Sequence, residues 1–160
     1  MFLLDTDVMA ELRRGAKADA PVAAWANALA PEQLFLSAVS LLDLETAAMR
    51  HAQREKAQAL RLQRWIDEQV LPAFAGRIVA LDAAIIGRRR TCAMSDPRDA
   101  LIAATALERG MTLATRRVAA FKSGKVKLLD PWKYAPEDDA DWRRASRSEP
   151  HWLKTLFVRA

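Results

Sequence analysis

The chain has 160 residues and a mass of 17.9 kDa, enough for one core of ordinary size, and its 51% hydrophobic content is ample to fill that core. With 28% charged residues it reads as neither disordered nor membrane-spanning, and a single cysteine, Cys92, excludes both a disulfide framework and a multi-cysteine zinc site. Met1-Phe-Leu-Leu-Asp5 carries no basic leader, so the expectation is a cytoplasmic protein with no membrane attachment.

The net charge of +5 is unevenly spread. Residues 1–83 hold nine Lys/Arg against eleven acids, and residues 128–160 balance six against six. Residues 84–127 hold ten against three, so this block alone carries +7. Arg88, Arg89 and Arg90 cluster there with Arg116, Arg117, Lys122, Lys125 and Lys127. A solvated basic face is the plain reading; a surface for a polyanion is the functional one.

In chain order, short apolar runs alternate with helical patterns. Met1–Leu4 reads as a strand ending at Asp5, followed by a helical turn from Val8 to Arg13. Pro21 opens a helix over Val22–Leu29, and Pro31 closes it. Leu34–Leu36 is a second strand, Val39–Gln53 a helix, and about Lys56–Val70 a longer amphipathic one. Ile78–Leu81 is a third strand before a helix over Ala83–Ala93. Asp96-Pro97-Arg98-Asp99 then opens a helix that runs to Arg109, stops at Gly110, and is apolar nearly all round, the mark of burial. Thr112–Ala114 and Val126–Leu129 are the fourth and fifth strands. Such alternation predicts an α/β domain with a mostly parallel sheet covered by helices. The polar, Trp-containing stretch over residues 135–160 reads as an appendage, with Trp142, Trp152 and Phe157 available to dock it on the body.

In open parallel sheets ligands gather outside the carboxyl ends of the strands. The polar residues there are mostly acids: Asp5 and Asp7 after strand one, Asp43 in the helix after strand two, Asp82 after strand three, and Asp99 in the first turn of the buried helix. Each has a local explanation. Asp5 suits a helix N-cap, Ser40-x-x-Asp43 has the spacing of a capping box, and Asp96-Pro97-x-Asp99 pairs a cap with a first-turn acid. As a set they are harder to explain locally. Two carboxylates about 4 Å apart repel by about 4 kcal/mol at an effective dielectric near 20. A converging cluster therefore needs a cation, and hard oxygen ligands select Mg²⁺ or Mn²⁺ over zinc. Such an ion beside a basic block suits phosphodiester hydrolysis. There is no Gly-rich phosphate loop, and His51 and His151 have no partner pattern for zinc.

Four stretches resemble the signatures of PIN-domain ribonucleases, of the VapC/FitB type found as toxins of toxin–antitoxin pairs: Leu3-Leu-Asp-Thr-Asp-Val8, Leu36-Ser-Ala-Val-Ser-Leu-Leu-Asp-Leu44, Asp99-Ala-Leu-Ile-Ala-Ala-Thr-Ala106 and Leu113-Ala-Thr-Arg116. They stand in the family's order and cover about residues 1–134, and Asp130-Pro-Trp132 also suits the subgroup. The resemblance implies a PIN-like three-layer α/β/α fold of about five short strands. It implies Asp5, Asp43 and Asp99 as catalytic, metal-binding acids for Mg²⁺ or Mn²⁺, with Thr6 and Thr115 as supporting hydroxyls. Arg116, Arg117, Arg88 and Arg89 become the phosphate and RNA contacts; RNA, a cognate antitoxin and a second copy of the chain become the partners. Two positions depart from the pattern. Asp43 stands where the family usually has Glu, and Glu45, two residues on, turns about 200° away around the helix. Arg117 stands where Asn or Asp commonly follows Thr-Arg. Three carboxylates and one guanidinium fit a single divalent ion, with Arg117 either near the scissile phosphate or set into the acids. Two other readings follow: an impaired PIN-like module that binds RNA or an antitoxin without cutting, and an aspartyl-phosphatase of the haloacid-dehalogenase type on Asp5-x-Asp7. Met9 and the lack of a cap domain count against the second.

Overall fold

The computed structural model describes residues 1–135; Trp142, Trp152, Phe157 and the appendage they belong to lie outside the described residues. The strands are β1 (Phe2–Leu4), β2 (Leu34–Ser37), β3 (Ile78–Val79), β4 (Thr112–Ala114) and β5 (Leu128–Leu129). All neighbours are parallel, in the order β3-β2-β1-β4-β5. The register puts Leu3 beside Phe35 and Leu113, and Leu4 beside Leu36 and Ala114.

Because side chains alternate across a strand, these few residues feed two cores. Leu4, Leu36 and Ala114 face a cluster with Val8, Trp25, Leu62, Trp65 and Phe74. Leu3 and Leu113 face the other, with Ile85, Ile102, Ala103 and Phe121. On the first side lie α1 (Thr6–Leu12), α2 (Ala20–Asn27), α3 (Ala38–Ala52) and α4 (Lys56–Trp65), the last continuing through a π-helical turn, Ile66–Val70, into α5 (Leu71–Ala73). On the second lie α6 (Ala83–Arg89), α7 (Pro97–Glu108) and α8 (Val118–Phe121). The result is the expected three-layer α/β/α arrangement.

Local chemistry accounts for most element ends, and some differ from expectation. Helix α3 starts at Ala38, capped by Ser37, whose hydroxyl accepts from the Ser40 N–H at 2.8 Å. The expected capping box at Ser40 and Asp43 does not form; Ser40 is buried, and Asp43 lies in the second turn, free to point elsewhere. Helix α6 stops at Arg89 rather than Ala93, because Gly87 and three successive arginines supply no apolar stripe beyond the buried Ile85. The π turn replaces a uniform helix up to Val70 and keeps Trp65, Ile66, Val70 and Phe74 all in the core. Pro72, which has no N–H to give, follows at once. The short α8 has no counterpart in the expected elements.

The order of strands reverses at β1: the chain proceeds outward through β2 and β3, then returns to the other side of β1 for β4 and β5. The ends of β1 and β4 are therefore the switch point where a parallel sheet opens a crevice. Backbone bonds extend the ladder past both strand ends. The Asp5 N–H reaches the Ala114 carbonyl at 3.0 Å, and the Thr115 N–H reaches that of Leu129 at 3.0 Å.

Candidate active site

Three segments meet at this switch point: the β1–α1 junction, the start of α7, and the β4–α8 junction. Asp5 is fully buried and caps α1, its Oδ1 accepting from the Thr6 N–H at 2.8 Å. Its Oδ2 accepts from the Thr115 hydroxyl at 2.7 Å. That same Thr115 oxygen accepts the Arg117 N–H at 3.0 Å, which turns the Arg117 side chain back over the acids. Thr115 thus orients the carboxylate and the arginine together.

Asp99 is placed by its helix. Asp96 caps α7, accepting from the N–H groups of Arg98 and Asp99, and Pro97 fills the first helical position where no N–H is needed. Asp99 is left at the edge of the crevice. The Arg117 guanidinium holds it with both oxygens engaged, Nη1 to Oδ2 at 3.0 Å and Nη2 to Oδ1 at 2.8 Å. Nη2 also reaches Asp5 Oδ2 at 3.0 Å. Two carboxylates from residues 94 positions apart therefore share one guanidinium nitrogen. Burial pulls the Arg117 pKa down, but hydrogen bonds and charge from Asp99 and Asp5 outweigh it and hold the group firmly protonated. The guanidinium also lies over the Phe121 ring, 5.1 Å from its centroid.

Asp7 completes the pocket. Its Oδ2 accepts from the Arg116 N–H at 2.9 Å and lies 3.4 Å from the Thr115 hydroxyl, tying the β4–α8 junction to the β1–α1 junction. Burial, and then the charge of Asp5, push its pKa up to about 6 from an ordinary 3.8, against backbone N–H groups and Arg117 that favour the anion. Its other oxygen, Oδ1, and the Thr6 hydroxyl are buried without a hydrogen-bond partner among the described residues. The Asp5-x-Asp7 spacing was the sequence signal for this residue, but its role as a tie between junctions has none.

The remaining expected residues fall in different places. Asp43, on α3, pairs with the Arg98 guanidinium rather than with the other acids, so it borders the crevice beside Asp99. Glu45 faces away, accepting from Gln63 of α4. Arg116 is exposed and stacks over the Trp132 ring at 5.3 Å. Arg88 and the exposed Arg89 are not in the crevice. Arg88 pairs with Glu108 at the far end of α7, nine residues or about 13 Å of helix from Asp99. Asp82 caps α6 and pairs with Arg109, likewise apart from the acids. Among the described residues no three acids converge in a ready metal geometry. The hard carboxylate oxygens of Asp5 and Asp99, set around the Arg117 guanidinium, are of the type that suits a divalent ion, and buried oxygens of Thr6 and Asp7 in the same segment are left without partners among the described residues.

Comparison with known proteins identifies the family. The family profile described as PIN domain matches residues 2–116. The toxin FitB of Neisseria gonorrhoeae is 33% identical over 140 residues, covering 82% of this chain and 99% of that protein. The VapC ribonuclease Y4jK of Sinorhizobium fredii is 33% identical over 145 residues, covering 84% and 100%. The crystal structure of FitAcB from Neisseria gonorrhoeae superposes with a TM-score of 0.73 at 30% identity, over 83% of this chain and 99% of that one. The family profile covers most of the chain and relatives a third identical span nearly their whole length on it, so the chain belongs to the PIN domain family.

Proposed function

We propose that the protein is a divalent-ion-dependent endoribonuclease, acting in the cytoplasm as the toxin of a toxin–antitoxin pair, with residues 1–134 as the PIN domain and 135–160 as an appendage. The observation that carries this is the pair Asp5 and Asp99, brought from distant segments to share one cation at the sheet's switch point. The names of the relatives, a VapC ribonuclease and a FitB toxin, support the reaction class and the role.

In this reading Asp5 and Asp99 would hold one Mg²⁺ or Mn²⁺, with Asp43, now paired with Arg98 beside them, as the further acid that would serve it. When bound, such an ion lowers the pKa of a coordinated water and offsets charge on the scissile phosphate. The chain's own groups do the rest. Thr115 fixes the orientation of Asp5, and the Thr6 hydroxyl is placed to orient a water beside it. Arg116, exposed over Trp132, meets the phosphate at the mouth. Arg88 and Arg89, beyond the crevice, serve flanking backbone within the basic block. The solved FitAcB neighbour supports an antitoxin partner. A groove of about 410 Å³ along α3 and α4, leaving Met49 and Leu60 exposed, supports a contact with a second copy of the chain. Among the described residues no helix is long and apolar enough to cross a membrane.

The test is cleavage of labelled RNA by the purified chain with Mg²⁺, Mn²⁺ or EDTA, and with Asp5→Asn and Asp99→Asn. Metal-dependent cleavage lost in both variants is the expected result; cleavage surviving in EDTA or in both variants refutes it. A second reading, RNA or antitoxin binding without cleavage, is favoured by one observation, the docking of Arg117 into the acid pair. Binding with no cleavage under either ion selects it.

A further inference from the structure

The Arg117 guanidinium and a divalent ion need the same oxygens. Asp99 gives both of its oxygens to Arg117, and Asp5 gives Oδ2 at 3.0 Å and Oδ1 at 3.4 Å. These oxygens, engaged by the guanidinium, are not open to an ion at the same time. The charges favour exchange: one guanidinium leaves the pair at −1, whereas a divalent ion brings it to zero.

We propose that Arg117 is an internal competitor for the divalent ion, a tethered cation that closes the acid pair when the ion is absent and withdraws to the mouth of the crevice when it binds. This rests on the reading of Asp5 and Asp99 as the ion's ligands. Arg117 is built to move. Its side chain is 45% exposed, although Asp5, which it contacts, is fully buried. It precedes the four-residue α8 and lies outside helical geometry, with φ −83° and ψ 42°. Beside it, Arg116 already faces solvent over Trp132, so a withdrawn Arg117 joins a second guanidinium where a phosphate approaches. A purely structural bridge between β1 and α7 has the opposite consequence: removing it loosens the pair and weakens ion binding.

The experiment is a Mn²⁺ titration of the full chain without RNA, by calorimetry or by loss of the free-ion electron paramagnetic resonance signal. Apparent affinity falls in proportion to the fraction of molecules with the pair open. If Arg117 is docked in all but about a tenth of molecules or fewer, Arg117→Gln tightens Mn²⁺ binding about tenfold or more. Arg117→Lys, a point charge with no fork, gives a smaller gain and tests the idea should the Gln variant fail to fold. Adding Asp99→Asn to Arg117→Gln abolishes the gain. In EDTA the Arg117→Gln variant melts below the parent, and saturating Mn²⁺ closes the gap. Equal or weaker Mn²⁺ affinity in both Arg117 variants overturns the competitor and leaves the ion site standing. Absence of Mn²⁺ binding to parent and variants alike at millimolar concentration overturns both.

Discussion

Replacing Asp7 by Asn makes the ion-free protein more stable at neutral pH and removes most of its loss of stability between about pH 4 and 6. The reasoning starts from the Asp7 carboxyl, whose pKa is raised from 3.8 to about 6, first by burial and then by Asp5. A raised pKa means that the folded state binds the proton more tightly than the unfolded state. The stabilising contribution of the neutral acid is complete below the ordinary carboxylate value and is lost as pH rises through about 6. At about 1.4 kcal/mol per pKa unit the shift corresponds to roughly 3 kcal/mol, and partial solvent contact reduces this to about 2. Asn keeps an oxygen to accept the Arg116 N–H, now made by Asp7 Oδ2 at 2.9 Å, and carries no charge to desolvate. Urea denaturation in EDTA from about pH 4 to 8 follows both proteins. The parent loses about 2 kcal/mol across the range relative to Asp7→Asn, with the gap complete above about pH 7. Parallel curves, or a variant less stable at pH 7, refute the argument.

Thr115→Val keeps the shape of the side chain but deletes the buried hydroxyl that donates to Asp5 and accepts from the Arg117 N–H. It costs about 1–3 kcal/mol in chemical denaturation, and a loss below about 0.5 kcal/mol shows that the hydroxyl is dispensable. Asp43→Ala breaks only a partly exposed pair with Arg98, so stability changes by less than about 1 kcal/mol. RNA cleavage in Mg²⁺ should nonetheless fall at least tenfold if Asp43 reaches the ion; unchanged cleavage removes it from the site.

The fold was legible because apolar runs and breakers are short-range signals. Thr112–Ala114 and the Asp96–Pro97 helix start lie where the pattern places them, since a strand between Gly110 and a basic turn has no other apolar partner. Element ends were less legible where a polar side chain just ahead of the apolar pattern decides them, as Ser37 does for α3. The site divides in the same way. Asp5 and Thr115 follow β1 and β4, whose carboxyl ends a parallel sheet gathers at its switch point, whereas the place of Asp99 with them, in the first turn of α7, was legible only through the resemblance. Long side chains resist this reasoning. The Arg77 guanidinium reaches the backbone carbonyls of Leu34 and Ala73, contacts that no count of charges announces. Arg88 belongs to the same basic block as Arg117 but turns to Glu108, at the opposite end of α7. What separates Arg117 from its neighbours is the Thr115 hydroxyl, which accepts its N–H and faces it toward two acids that its charge complements. Net charge over residues 84–127 therefore describes a face of the protein, whereas the placement of a single guanidinium sets the charge of the acid pair itself.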